Sequence, residues 1–163
     1  MVIVLMGVSG CGKSTIGQLL SQEEGWEFYD GDDFHSSEMK EKMQKGIPLT
    51  DEDRMPWLRL LRRLIERLVI TETNAVLACS ALKEKYRAIL KNDNEEVVFV
   101  YLKGTPEIIE MRLAIRKHEY MNSALLNSQF EALEPPGDAF TVDINRTPQE
   151  ITAEIRTLLK LSV

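Results

Sequence analysis

A strand that runs straight into a glycine loop and out into a helix limits what this chain can fold into more than any other feature. Val2–Met6 is an unbroken apolar run rich in β-branched residues, the pattern of a strand buried on both faces of a parallel sheet. Residues 7–14 then read G-V-S-G-C-G-K-S, which matches the G-x-x-x-x-G-K-[ST] phosphate loop. Ile16, Leu19 and Leu20 follow at helical spacing, up to the stop signal at Gly25. Glycines let the backbone wrap closely enough for its N–H groups to face phosphate oxygens, and the start of the helix adds a partial positive charge. Lys13 is placed to reach the β and γ phosphates, Ser14 to ligate Mg2+, and Thr15 to touch the α phosphate. A dinucleotide-binding G-x-G-x-x-G counted from Gly10 would need glycine where Thr15 stands, so that register fails. Cys11 reads as a small residue tolerated in the loop.

Beyond the loop, strands and helices keep alternating. Residues 26–29, 75–79, 97–102 and 140–144 read as further strands, and residues 36–45, 51–70, 82–90, 106–117, 125–133 and 148–159 as helices. Thr50 opens T-D-E-D, a capping box, and Trp57, Leu61, Leu64 and Leu68 lie on one face of the helix that follows. The pattern predicts an α/β fold: a P-loop NTPase-type three-layer sandwich with a five-stranded parallel sheet, right-handed crossovers and an insertion between Arg116 and Gly137. Ligands in such sheets bind at the carboxyl ends of the strands. The chain reads as one domain over 1–163.

At 163 residues the chain is one domain's worth, which fits a small-metabolite kinase better than a motor. Twenty Lys and Arg against 26 Asp and Glu give a net charge of −6, which argues against nucleic acid or an anionic membrane as a partner. No stretch approaches the roughly 18 consecutive apolar residues of a membrane span, so the cytoplasm is the expected location. Cys11 and Cys79 have no metal-ligand spacing and are expected as free thiols.

The acceptor must be read elsewhere. Residues 29–35, Y-D-G-D-D-F-H, place a carboxylate cluster at the end of the second strand. Asp32 there is suited to orienting or accepting the proton of an attacking hydroxyl and to holding a metal-bound water; the alternative is a cap for the next helix. A calcium loop would require an acid at Phe34 and fails on spacing. His35 is either an acceptor contact or a structural donor. In D-E-D-R-M-P-W-L, Arg54 is the one basic residue in an acidic turn, suited to bidentate capture of a substrate carboxylate or to an ion pair with Asp51 or Asp53. Arg59, Arg62, Arg63 and Arg67 read as a solvated helix face.

Together G-V-S-G-C-G-K-S, D-G-D-D-F-H, K-G-I-P-L-T-D-E-D-R-M-P-W-L, C-S-A-L-K-E-K-Y-R, Y-L-K-G and S-Q-F-E-A-L-E-P resemble the phosphate-loop gluconate kinases, in order and over nearly the whole chain. That family is similar in fold to shikimate and nucleoside-monophosphate kinases and phosphorylates the 6-hydroxyl of D-gluconate with MgATP, giving 6-phosphogluconate and ADP. The resemblance implies an ATP loop of Gly7, Val8, Ser9, Gly10, Cys11, Gly12, Lys13, Ser14 and Thr15, with Lys13 catalytic and Ser14 on the metal. It implies Asp32 as the base or hydroxyl-orienting group, and Asp32, His35, Arg54, Tyr86 and Arg87 at the acceptor. It also makes the insertion, at about 111–137, the helical lid of a single kinase domain, from which Arg112, as an ATP contact, and Arg116, as a catalytic cation, are expected to swing onto the transferring phosphate.

Three departures from the family pattern bear on acceptor choice. His118, Glu119 and Tyr120 stand where Gly-His-Phe is usual, Met39 stands for an Asn, and Ala78-Cys79-Ser80 carries no acid at the end of the third strand. This last departure leaves Asp32 as the expected side chain for the metal's water shell. A kinase for shikimate or another sugar acid, or a non-catalytic nucleotide-binding module, is the alternative. The resemblance also leaves room for a homodimer.

Overall fold

The computed structural model describes residues 1–116 and 123–161. Strand β1 (Val2–Met6) is the centre of a five-stranded, wholly parallel sheet that also contains β2 (Glu27–Asp30), β3 (Ala75–Ala78), β4 (Val97–Lys103) and β5 (Phe140–Asp143). Their order is β2-β3-β1-β4-β5. Val2 pairs with Ala75 on one side and Val97 on the other, so β1 is buried along its whole length.

Alternation along β1 divides the core. Val2, Val4 and Met6 face a cluster with Trp57, Leu61 and Leu68 of α3 (Asp51–Ile70) and Tyr86 and Leu90 of α4 (Glu84–Lys91). Ile3 and Leu5 face the other layer, where Ile16 and Leu20 of α1 (Lys13–Glu24) meet Ile151 and Ile155 of the C-terminal helix (Pro148–Leu158). The result is the predicted three-layer α/β sandwich. Each fully buried Leu or Ile contributes about 1.5–3 kcal/mol, so the central strand and its two helical layers hold the platform on which the loop sits.

Helix α3 has the predicted bounds because its cap is complete: Asp53 N–H donates to Thr50 Oγ1 at 3.1 Å and Thr50 N–H donates back to Asp53 Oδ2 at 3.0 Å. Elsewhere the ends differ slightly. β2 reaches Asp30, one residue past the predicted end, because Asp30 pairs with Ala78. Helix α4 begins at Glu84 rather than 82, after a turn in which Ala81 takes a φ of 45°. Between β2 and α3 lie a 3-10 turn (Gly31–Phe34) and α2 (Ser37–Gln44); α5 (Pro106–Arg116) and α6 (Ser123–Ala132) follow β4, and the C-terminal helix is α7. No helix among the described residues is long and apolar enough to cross a membrane.

Candidate active site

The loop after β1 has a conformation only glycine takes without strain. Gly10 has a φ of 83°, and a Cβ there would lie 2.9 Å from the Leu113 side chain of α5. Gly12, at a φ of 100°, caps α1 without any side chain, leaving the N–H groups of the first turn open to an anion. Lys13 Nζ folds over the loop and donates to the carbonyls of Gly7 and Val8, both at 3.0 Å.

The acid that meets Ser14 is Asp30. Ser14 Oγ donates to Asp30 Oδ2 at 2.9 Å, while Asp30 Oδ1 accepts from the Asp32 N–H at 3.0 Å. Extension of β2 by one residue brings Asp30 to the loop, and Asp32, the side chain expected for a metal's water shell, lines the same cleft. One hydroxyl with a carboxylate behind it suits Mg2+, which keeps most of its waters and takes its remaining oxygens from phosphates. No group of three or more His, Cys, Asp or Glu that could cage a metal occurs among the described residues.

A cleft of about 360 Å³ opens beside the loop, lined by Ser9, Lys13, Ser14 and Asp30 and, further out, by Asp32, His35 and Arg54. Arg54 donates through Nη1 to the Leu49 carbonyl at 2.7 Å, and its guanidinium lies 5.5 Å from the centre of the Tyr86 ring. The two acids suggested as its partners are engaged elsewhere. Asp51 accepts from Lys83, Lys85 and Tyr86, and Lys42 reaches Asp53 at 3.2 Å. The Lys85 and Tyr86 hydrogen bonds hold the Asp51 carboxyl well below the usual range.

His35 stacks on Trp57 with ring centres 4.2 Å apart, and the indole N–H donates to the Gly31 carbonyl at 2.7 Å. Burial, with the nearby charges of Arg54 and Lys40, pushes the imidazole down to about 4, so it is neutral at pH 7. Its buried Nδ1 has no hydrogen-bond partner. Lys40 and Gln129 also line this cleft; Lys40 lies in none of the motifs, whereas Gln129 lies in S-Q-F-E-A-L-E-P, whose order alone assigns it no role.

Two further expected acceptor residues are engaged within the protein. The Tyr86 hydroxyl donates to Asp51, and neither Tyr86 nor Arg87 lines the cleft. Arg87 is 7% exposed and donates to the carbonyls of Ala81 (2.8 Å), Leu82 (3.1 Å) and Glu134 (2.9 Å). Its planar fork is spent on backbone, which ties the segment after α6 to the turn before α4. Both side chains act here as supports, Tyr86 against Asp51 and beneath Arg54, and Arg87 on backbone.

A second cavity of about 210 Å³ lies on the other side of the loop, lined by Cys11, Gly12, Thr15, Arg112, Arg146 and Pro148, among others. Arg112 also donates to the Ile144 carbonyl. It is thus placed at this cavity rather than on the cleft side where phosphate would be transferred. Arg116 closes α5. Its side chain, with His118, Glu119 and Tyr120, lies outside the described residues. Met39 sits in the first turn of α2, where its N–H donates to Ser36 Oγ at 3.3 Å. Both cysteines are buried and free, and burial pushes the Cys79 thiol up to about 12, which leaves it unreactive.

The shikimate kinase family pattern matches residues 9–159. A mouse protein named "Probable gluconokinase" is 44% identical, with 98% of this chain and 97% of that protein covered. The thermoresistant gluconokinase of Escherichia coli is 38% identical, with 98% and 93% covered. The chain belongs to the gluconokinase family. A gluconokinase structure from Sinorhizobium meliloti superposes with a TM-score of 0.83 at 37% identity, covering 98% of this chain and 95% of that one. The span matched by the shikimate kinase family pattern, residues 9–159, contains every described residue that lines the two cavities, from Ser9 to Ile151. Shikimate kinase from Aquifex aeolicus shares the fold, with a TM-score of 0.57 at 19% identity.

Proposed function

We propose that this protein is a gluconokinase, transferring the γ-phosphoryl group of ATP to the 6-hydroxyl of D-gluconate to give 6-phosphogluconate and ADP. The observation that carries the reading is that one glycine loop separates two cavities and that Gly12 and Thr15 line both. A nucleotide laid along such a loop has its base on the side of Arg112 and Pro148 and its terminal phosphate on the side of Asp32 and Arg54. The near-full-length likeness to gluconokinases supports gluconate as the acceptor.

The residues divide the work by charge. Loop N–H groups and Lys13 hold the phosphates, the lysine exchanging its loop carbonyls for phosphate oxygens. Ser14, with Asp30 behind it, would hold Mg2+, which when bound neutralises charge on the β and γ oxygens. Asp32 orients the 6-hydroxyl and takes its proton as the oxygen attacks phosphorus and the bond to the ADP oxygen breaks. Arg54 receives the gluconate carboxylate as a planar partner. Neutral His35, stacked on Trp57, forms a flat wall for the carbon chain. Residues 111–137 act as a lid on a single domain, with Arg116 supplying positive charge to the transferring group.

Release of ADP with gluconate, other sugar acids, shikimate and nucleoside monophosphates as acceptors tests the reading. Gluconate should exceed every rival in kcat/KM by at least about a hundredfold. Preference for shikimate would overturn the acceptor assignment, and ATP binding without transfer to any acceptor would overturn the enzyme.

A further inference from the structure

Gln129 has no part in the chemistry above, yet it joins α6 to the phosphate loop. It lies one turn beyond Leu125 and Leu126, whose buried side chains seat that helix. Its side chain makes two hydrogen bonds to one loop residue. The Ser9 N–H donates to Oε1 at 2.7 Å, and Nε2 donates to Ser9 Oγ at 3.1 Å. A backbone N–H can only donate, so it fixes the amide oxygen on its own side and the amide NH2 on the hydroxyl. Ser9 Oγ is therefore an acceptor towards α6, and its single O–H is left to donate in another direction. Ser9 lines the cleft of Asp32 and Arg54 and is not part of the cavity around Arg112 and Pro148.

We infer that Gln129 is a positioning residue for phosphoryl transfer: with α6 seated, it sets the Ser9 hydroxyl as a hydrogen-bond donor to the terminal phosphoryl group. The inference rests on the reading of the loop as an ATP site. It gives the loop a donor that depends on α6, and so couples helix position to the charge that develops on the transferred oxygens.

The test is a double-mutant cycle of Ser9→Ala and Gln129→Met in the full chain, with Gln129→Glu as a third variant. Turnover is measured together with binding of ADP and of a non-hydrolysable ATP analogue. Each single change should lower kcat about tenfold with gluconate KM within about threefold, and the double variant should lie no more than about threefold below either single. The ATP analogue should weaken more than ADP, because only it carries the terminal group. Gln129→Glu keeps the size and the bond from the Ser9 N–H, but presents an acceptor to Oγ and draws the hydroxyl proton away from the cleft. It should be slower than Gln129→Met. Additive losses in the cycle, equal weakening of the two nucleotides, or wild-type turnover in Gln129→Glu would overturn the inference while leaving the ATP site intact. Wild-type protein that bound neither nucleotide would overturn both. Should Gln129→Glu fail to fold, the Ser9→Ala and Gln129→Met cycle decides alone.

Discussion

Arg54 and Arg87 are both arginines near the carboxyl ends of the strands, and they are used in opposite ways. Arg54 is held to the protein through one carbonyl and a ring face, and it lines the open cleft. Arg87 is buried, with its donors on three carbonyls from two separate segments. Around it the tie is reinforced by the Glu134 N–H, which donates to the Leu82 carbonyl at 2.8 Å, and by the Glu84 N–H, which donates to Glu134 Oε1 at 2.8 Å. The cleft wall keeps its charges partly uncommitted and so can exchange them with a ligand. The root of the α6 segment has none to exchange. Loss of a charge should therefore be read as kinetics in the first region and as stability in the second.

That separation can be broken or sharpened by four measurements. Asp32→Asn should lower kcat by about 10²–10⁴-fold with ATP KM nearly unchanged; a change confined to ATP binding would move Asp32 to the nucleotide side. Arg87→Met should leave the Ala81 and Glu134 carbonyls without their donor, the Leu82 carbonyl keeping the Glu134 N–H, and cost about 3 kcal/mol in denaturant unfolding, while turnover of the folded fraction stays within about fivefold. Arg54→Ala should do the reverse, raising gluconate KM about tenfold or more with Tm within a few degrees of wild type. An unchanged KM would reduce Arg54 to a tie for the Leu49 carbonyl.

The last measurement is titration of His35, where the effect per pH unit is small. Its folded pKa of about 4 lies below the ordinary 6.5, so the unfolded chain binds the extra proton first as pH falls. The stability that neutral His35 contributes is complete above pH 6.5 and is lost on acidification towards pH 4, with a slope of at most about 1.4 kcal/mol per pH unit. Urea unfolding of wild type and His35→Gln across that window should show the slope flatten in the variant. Equal slopes would mean that the ring is not kept neutral by its surroundings.

What the sequence made legible follows from how local each signal is. The strand, loop and first helix are contiguous and carry their own glycines, and α3 is bounded by a cap four residues long, so both could be read directly. Choosing between Asp30 and Asp32 depended on whether β2 ends at 29 or 30, which the pairing with Ala78 decides and no local pattern does. Arg87 was readable in principle. Tyr86, Arg87 and Leu90 share the buried face of α4, and an arginine on such a face must find backbone or a counter-charge. The cavity around Arg112 and Pro148 brings α5 against the start of α7, across β5, and only the packed fold shows it.

The order of the strands has a consequence for descent. β1 and its loop lie at the centre, hydrogen-bonded on both sides, whereas β2, which carries Asp30 and leads to Asp32, is an edge strand with β3 as its one neighbour. A substitution at the centre disturbs two neighbours and both layers; one at the β2 edge disturbs a single ladder. Descent from this sheet is therefore expected to absorb change along β2 at less cost to the fold than change along β1.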